Sequence, residues 1–243
     1  MTTIFLDAKP AALTFPVDRC AVVVVDMQND FGSNGGMFQL AGIDIAPIKK
    51  IVPNVAALIA CARDAGMPVV YLKQQHSADL ANAGAPRAPH YLKHQPLRIG
   101  DVVTAPDGSE SRILIEDTWN TAVINDLAPE PGDIVIAKHR YSGFFQTELD
   151  KRLREKGIET LIFAGATTSI CVESTVRDVM FSDYVCIVLS DCTAEPIANE
   201  ASRSNHEASL LNIQLLFGWV AQLSDLQYAL AGVARSGPRL RTY

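Results

Sequence analysis

Apolar residues in this chain fall in short unbroken runs, separated by longer stretches in which they recur every three or four positions. The first run, Cys20–Val25 (CAVVVV), is mostly β-branched, and others follow at Pro68–Leu72, Ile134–Ala137, Leu161–Ala164 and Val185–Leu189, with Trp219–Leu223, interrupted by Gln222, as a candidate sixth strand. A segment apolar at every position, rather than at alternate ones, predicts a strand covered on both faces, as in a parallel sheet. Between the runs, Pro47–Ala65 places Ile48, Ile51, Val55, Leu58, Ile59 and Ala62 at helical spacing, with Gly66 positioned to close the helix. Helices are also predicted over Asn120–Leu127, over Thr147–Lys156, from Cys171 onward through Val172, Val176, Val179 and Met180, and over Glu200–Gln214. This alternation predicts an α/β fold: a doubly wound, mainly parallel six-stranded sheet with helices on both faces, Rossmann-like and three-layered, with right-handed crossovers.

Three stretches interrupt the pattern. Residues 1–18, with Pro10 and Pro16, predict an arm lying on the domain or on a neighbouring subunit, and the basic residues toward the end predict a loose tail over 233–243. Residues 19–232 then form a single domain, with no linker or repeat to divide them. From Gln74 to about Thr118 the periodicity dissolves into Pro, Gly, His and charge. That is too long for an ordinary connection and predicts a functional excursion over the site, with His76, His90 and His94 as loop surface residues.

Composition narrows the function. A net charge of −6 argues against nucleic acid or an anionic membrane as a partner. No apolar stretch approaches the ~18 residues of a membrane span, and the first residues lack a basic segment followed by an apolar run. Five cysteines, without a CxxC pair, predict reduced thiols in the cytoplasm rather than a disulfide framework or a zinc site.

Most of these thiols read as small buried hydrophobes: Cys20, Cys61, Cys186 and Cys192 carry no flanking chemistry. Cys171 differs, because it stands where the run Leu161–Ala164 passes through Gly165 and small hydroxyl residues into a helix. Free backbone N–H groups and the helix dipole at such a junction favour a thiolate. Asp26 and Lys138 each follow the end of another predicted strand, and the ligand crevice of an open α/β sheet lies at those carboxyl ends. A carboxylate, an ammonium and a thiol gathered there would tune one another, with Asp26 as acceptor for the thiol proton.

VVVVDMQNDF around Asp26, KHRYSGFFQTELD around Lys138 and GATTSICVESTVRD around Cys171 resemble, in order, the three motifs of the isochorismatase-like cysteine hydrolases. The resemblance spans nearly the whole chain. It implies that Cys171 attacks a carbonyl, that Asp26 shuttles the proton to the leaving nitrogen, and that Lys138 orients and stabilises charge. It further implies an oxyanion hole from the N–H groups of Thr167 and Cys171, with a cis peptide between Ala166 and Thr167. Ser169 departs from the Asn or Asp that many relatives carry two residues before the cysteine. The Asp-x-His metal motif of the nicotinamidase branch is absent from KQQHSADL, so neither a metal nor any other cofactor is expected.

Within the family, GGMFQLAGIDI, the Trp of DTWNTAVINDL, KHRYSGFFQTELD and NIQLLFGWV are most like the ureidoacrylate amidohydrolase branch of pyrimidine degradation. Biuret and triuret hydrolases share much of the plan. The resemblance implies a small ureido or carbamoyl substrate, a homo-oligomer (dimer or tetramer), and a pocket lined by Phe31, with Trp119, Tyr141 and Phe144 packing on a planar substrate and Gln74 hydrogen-bonding it. Two alternatives stand beside this expectation: a biuret, triuret or N-carbamoyl amino acid amidohydrolase, and, in another class, a non-catalytic or redox-sensing thiol protein.

Overall fold

The computed structural model describes residues 2–198 and 202–235. Its strands are β1 (Thr3–Leu6), β2 (Leu13–Pro16), β3 (Cys20–Val25), β4 (Val69–Gln74), β5 (Val102–Thr104), β6 (Glu110–Arg112), β7 (Ile134–Lys138), β8 (Thr160–Ala166), β9 (Val185–Ala194) and β10 (Trp219–Ala221). Its helices are α1 (Asn29–Gly32), α2 (Met37–Leu40), α3 (Ala46–Asp64), α4 (Pro89–His94), α5 (Leu149–Glu155), α6 (Glu173–Phe181), α7 (Asn205–Asn212) and α8 (Leu223–Arg235).

Six strands form one sheet in the order β10-β9-β8-β3-β4-β7, every neighbouring pair parallel. The β-branched run of β3 lies near the centre, and its side chains alternate between two cores. Val22 and Val24 face α3 and α8, whereas Ala21, Val23 and Val25 face α5 and α6. Successive crossovers run from β3 to β4 to β7 and then return to the other side of β3 at β8. The order therefore reverses at β3 and β8, the place where an open α/β sheet forms a ligand crevice at its carboxyl edge.

Gly165 makes that crevice tight. Its φ of +115° and its closeness to β3, where an added Cβ would lie 2.1 Å from the Val25 carbonyl oxygen, exclude any other residue. The carboxyl ends of β3 and β8 can therefore approach closely just before Asp26 and Thr167.

Some elements differ from expectation. The helix predicted over Asn120–Leu127 is only a 3-10 turn at Asn125–Leu127. The carbonyls of residues 120–122 are taken by Asp30 N–H, the Gln28 amide and Asn29 N–H, so they are not available to a helical ladder. The last strand is shorter than predicted, and Leu223 instead opens α8. The helix expected from Glu200 begins at Asn205, and the start of that prediction falls outside the described residues. The tail predicted from residue 233 overlaps the end of α8, and its remainder also lies outside them.

At the N-terminus, β1 and β2 form an antiparallel hairpin that buries Ile4, Leu6 and Phe15 in the α3 and α8 core. Lys9 then exchanges two backbone hydrogen bonds with Val220, at 2.8 and 2.9 Å, along the outer edge of β10.

Candidate active site

Asp26, Lys138 and Cys171 converge at the reversal point. Asp26 follows β3 in a left-handed conformation, φ 48°, which Asp tolerates better than most residues and which turns its side chain away from the strand direction. Its Oδ1 accepts from Gln74 N–H at 2.9 Å, and its Oδ2 lies 2.7 Å from Lys138 Nζ. Lys138, the last residue of β7, also donates to Gln74 Oε1 at 2.9 Å and the Arg140 carbonyl at 3.2 Å, and approaches Cys171 Sγ at 3.5 Å. Both ionic side chains are essentially inaccessible to water. An ion pair that deep is retained only when its remaining polar atoms are satisfied, which is what Gln74 and the Arg140 carbonyl do for Lys138.

The electrostatics follow from burial. Desolvation works against the charge on Lys138, but the Asp26 carboxylate and the Cys171 sulfur outweigh it and hold the ammonium above its ordinary range. Burial, then the charge of Asp26, push the Cys171 thiol well up, against the opposite pull of Lys138. This runs against the pull toward thiolate expected of the strand–helix junction. Cys171 lies inside a one-turn π-helix, Thr168–Val172, before α6, and the low-dielectric pocket outweighs the polar junction. The resting group is a thiol with a carboxylate beside it.

A small cavity opens over the sulfur, lined by Phe31, Phe38, Gln74, His94, Tyr141 and Thr167 among others. The peptide between Ala166 and Thr167 is cis. Of the aromatic residues expected around a substrate, Phe31 and Tyr141 reach this cavity. Trp119 does not: it lies beside Gly35, and its carbonyl is held by the Asn29 amide at 2.8 Å. Phe144 also lies away from the cavity, packing edge-on to Tyr184 in the α5 and α6 core. Ser169 donates to Glu195 at 2.5 Å through its hydroxyl and at 2.8 Å through its N–H.

The expectation of surface histidines is likewise corrected. His76 and His94 are buried, 1% and 6% exposed, and with half-buried His90 they pack into one cluster with Tyr141. Burial lowers His76 to about 4 and His90 to about 3, and keeps the cluster neutral. In the sequence the three residues carried only the signal of a polar loop. The spacing of His90 and His94, one helical turn apart with Pro89 at a helix start, was the clue to α4.

A parallel α/β sheet with a buried thiol, carboxylate and ammonium at its reversal point defines the class, and comparison with known proteins gives the family. The isochorismatase domain matches residues 20–225. The ureidoacrylate amidohydrolase RutB of Cronobacter sakazakii is 39% identical over 95% of this chain and 97% of its own. Its counterpart from a strain of Methylorubrum extorquens is 40% identical over 93% of this chain and 88% of its own. Among solved structures, a cysteine hydrolase from Pseudomonas syringae pv. phaseolicola aligns with a TM-score of 0.74 at 28% identity, covering 90% of this chain and 95% of that one. N-carbamoylsarcosine amidase from Thermoplasma acidophilum aligns with a TM-score of 0.61 at 28% identity, covering 84% and 96%. The chain belongs to the isochorismatase family.

Proposed function

We propose that this hydrolase of carbon–nitrogen bonds other than peptide bonds acts on a small ureido or carbamoyl compound of the ureidoacrylate kind, through a covalent adduct on Cys171. The observation that carries the reading is the contact of one buried ammonium with both a carboxylate and a thiol, 2.7 Å from Asp26 and 3.5 Å from Cys171.

Because the resting sulfur is a thiol, its proton must leave as the bond to carbon forms. Asp26 takes it while Sγ attacks the substrate carbonyl, and Lys138 offsets the charge as it moves. The oxyanion is held by the N–H groups of Thr167 and Cys171, two residues that line the cavity. Asp26 then returns the proton to the leaving nitrogen, and the C–N bond breaks. In the second half Asp26 deprotonates water, which attacks the adduct and frees the thiol. If ammonia leaves in the first half, water releases an N-substituted carbamate in the second; if the substituted amine leaves, water releases carbamate, which decays to ammonia and carbon dioxide. Phe31 and Tyr141 enclose a planar substrate, and Gln74 binds it. The working unit is a homo-oligomer, which sedimentation velocity measures directly.

A buried thiol raised by its surroundings is a poor first target for peroxide, which favours the hydrolase reading over a redox sensor. The test is ammonia release from a panel of ureidoacrylate, biuret, triuret, N-carbamoylsarcosine and nicotinamide, with wild type and Cys171→Ala. Turnover is expected with at least one ureido compound and none with the variant, whose circular dichroism should be unchanged. Activity retained in Cys171→Ala would refute the covalent route.

A further inference from the structure

Two residues of the cavity wall are left with one free hydrogen-bonding atom each, and the two atoms are of opposite kind. Gln74 Oε1 accepts from Lys138 Nζ at 2.9 Å. An ammonium has no acceptor, so this contact fixes the amide orientation and leaves Nε2 as a pure donor. That donor is buried and has no protein partner among the described residues.

His94 is the counterpart. Its Nδ1 lies 2.7 Å from the His90 carbonyl oxygen, which only accepts, so Nδ1 carries the proton and a neutral ring presents Nε2 as a lone pair. No donor of the described residues takes that lone pair up. The groups facing the ring are His90, Tyr141 and His76, with centroids 4.2, 5.7 and 6.4 Å away, and the cations Lys138 and Arg140. Burial first, and then these cations against the help of the His90 contact, keep the ring unprotonated. His94 lines the same cavity as Cys171, Asp26 and Gln74.

A buried donor left without a partner is unfavourable unless a ligand completes it, and among the described residues the His94 ring lines the same cavity with its Nε2 lone pair untaken. We propose that His94 Nε2 accepts a hydrogen bond from a substrate N–H while Gln74 Nε2 donates to an oxygen of the same molecule, so that the pair selects compounds presenting both groups side by side. This deepens, and rests on, the reading of the site as a ureido or carbamoyl hydrolase. His94 is then a specificity-determining residue that leaves proton transfer to Asp26.

The experiment compares wild type, His94→Phe and His94→Gln on the ureido compound turned over best and on its analogue dimethylated at the terminal nitrogen. The Phe variant keeps the ring volume and loses the acceptor, and Gln restores an acceptor oxygen. For the parent compound His94→Phe should raise KM about tenfold to a hundredfold with kcat within threefold, and His94→Gln should recover part of the loss. For the analogue, which has no N–H there to donate, His94→Phe should leave KM within twofold. If His94→Phe fails to fold, the wild type alone decides, because the analogue should then show a KM at least tenfold above the parent's. Equal KM values for parent and analogue in wild type, or equal losses on both in the variant, would overturn the role of His94 while leaving the hydrolase intact. Absence of turnover on every ureido compound would instead overturn the functional reading and this inference with it.

Discussion

Lys138 touches both Asp26 and Cys171, so its removal has two separable effects. Lys138→Ala leaves Asp26 buried without a counter-charge, which costs about 3–5 kcal/mol of stability when one partner of a buried pair is deleted. It also removes the neighbour that lowers the Cys171 thiol, so the pKa of that thiol should rise further. Turnover should fall by roughly a thousandfold or more, because the charge that offsets the moving proton has gone. Guanidinium unfolding reads the first effect, and the pH profile of iodoacetamide alkylation reads the second. An alkylation profile that does not move would mean that the ammonium has no electrostatic hold on the sulfur. That these three residues meet was legible from sequence, because each lies beyond the apolar run of a strand at the same edge of the sheet. The state of the thiol was not, since burial depends on what the remote excursion places over it.

At the scale of elements, the six sheet strands were readable because each carries a short apolar run. The ordering of the excursion was unreadable for the opposite reason: it is held by polar side chains gripping distant backbone. Asp30 accepts from Met37 N–H at 2.9 Å and Leu114 N–H at 2.7 Å, and the Gln28 amide holds the carbonyls of Gln74 and Thr121 at 3.0 and 2.9 Å. Such contacts leave no periodicity. Other elements had signals that a closer reading finds. Ser204 and Glu207 form a capping box at the start of α7, and Leu223, Leu226, Ala229 and Leu230 mark one face of α8.

The histidine cluster of the excursion carries a prediction in pH. His76 has a folded pKa of about 4 against about 6.5 unfolded, so on acidification the unfolded chain takes up its proton first. Stability present above about pH 6.5 is therefore lost as the pH falls toward 4, by roughly 2 kcal/mol at pH 5. Asp30 works the other way. Burial raises its carboxyl to about 6, so its ionisation weakens the fold as pH rises through the same range. The informative quantity is thus a difference: His76→Asn should flatten the fall in urea midpoint between pH 7 and pH 5 relative to wild type. Parallel midpoint curves would mean that His76 is not held neutral.

Across the whole molecule, the N-terminal hairpin is part of the core rather than an appendage. Deleting residues 1–18 removes Ile4, Leu6 and Phe15, each under 4% exposed, and uncovers the apolar side of α8. At about 1.5–3 kcal/mol for each buried side chain, the loss is on the order of 5 kcal/mol. The truncated chain should unfold at markedly lower urea, and an unchanged midpoint would show that the hairpin contributes no stability. The two hydrogen bonds between Lys9 and Val220 have a different consequence. They occupy backbone groups on the open side of β10 that would otherwise template a foreign strand, so the natural chain is protected there against fibrillar growth. Cleavage near residue 10 is expected to free that edge, and light scattering of the nicked protein against the intact one checks it.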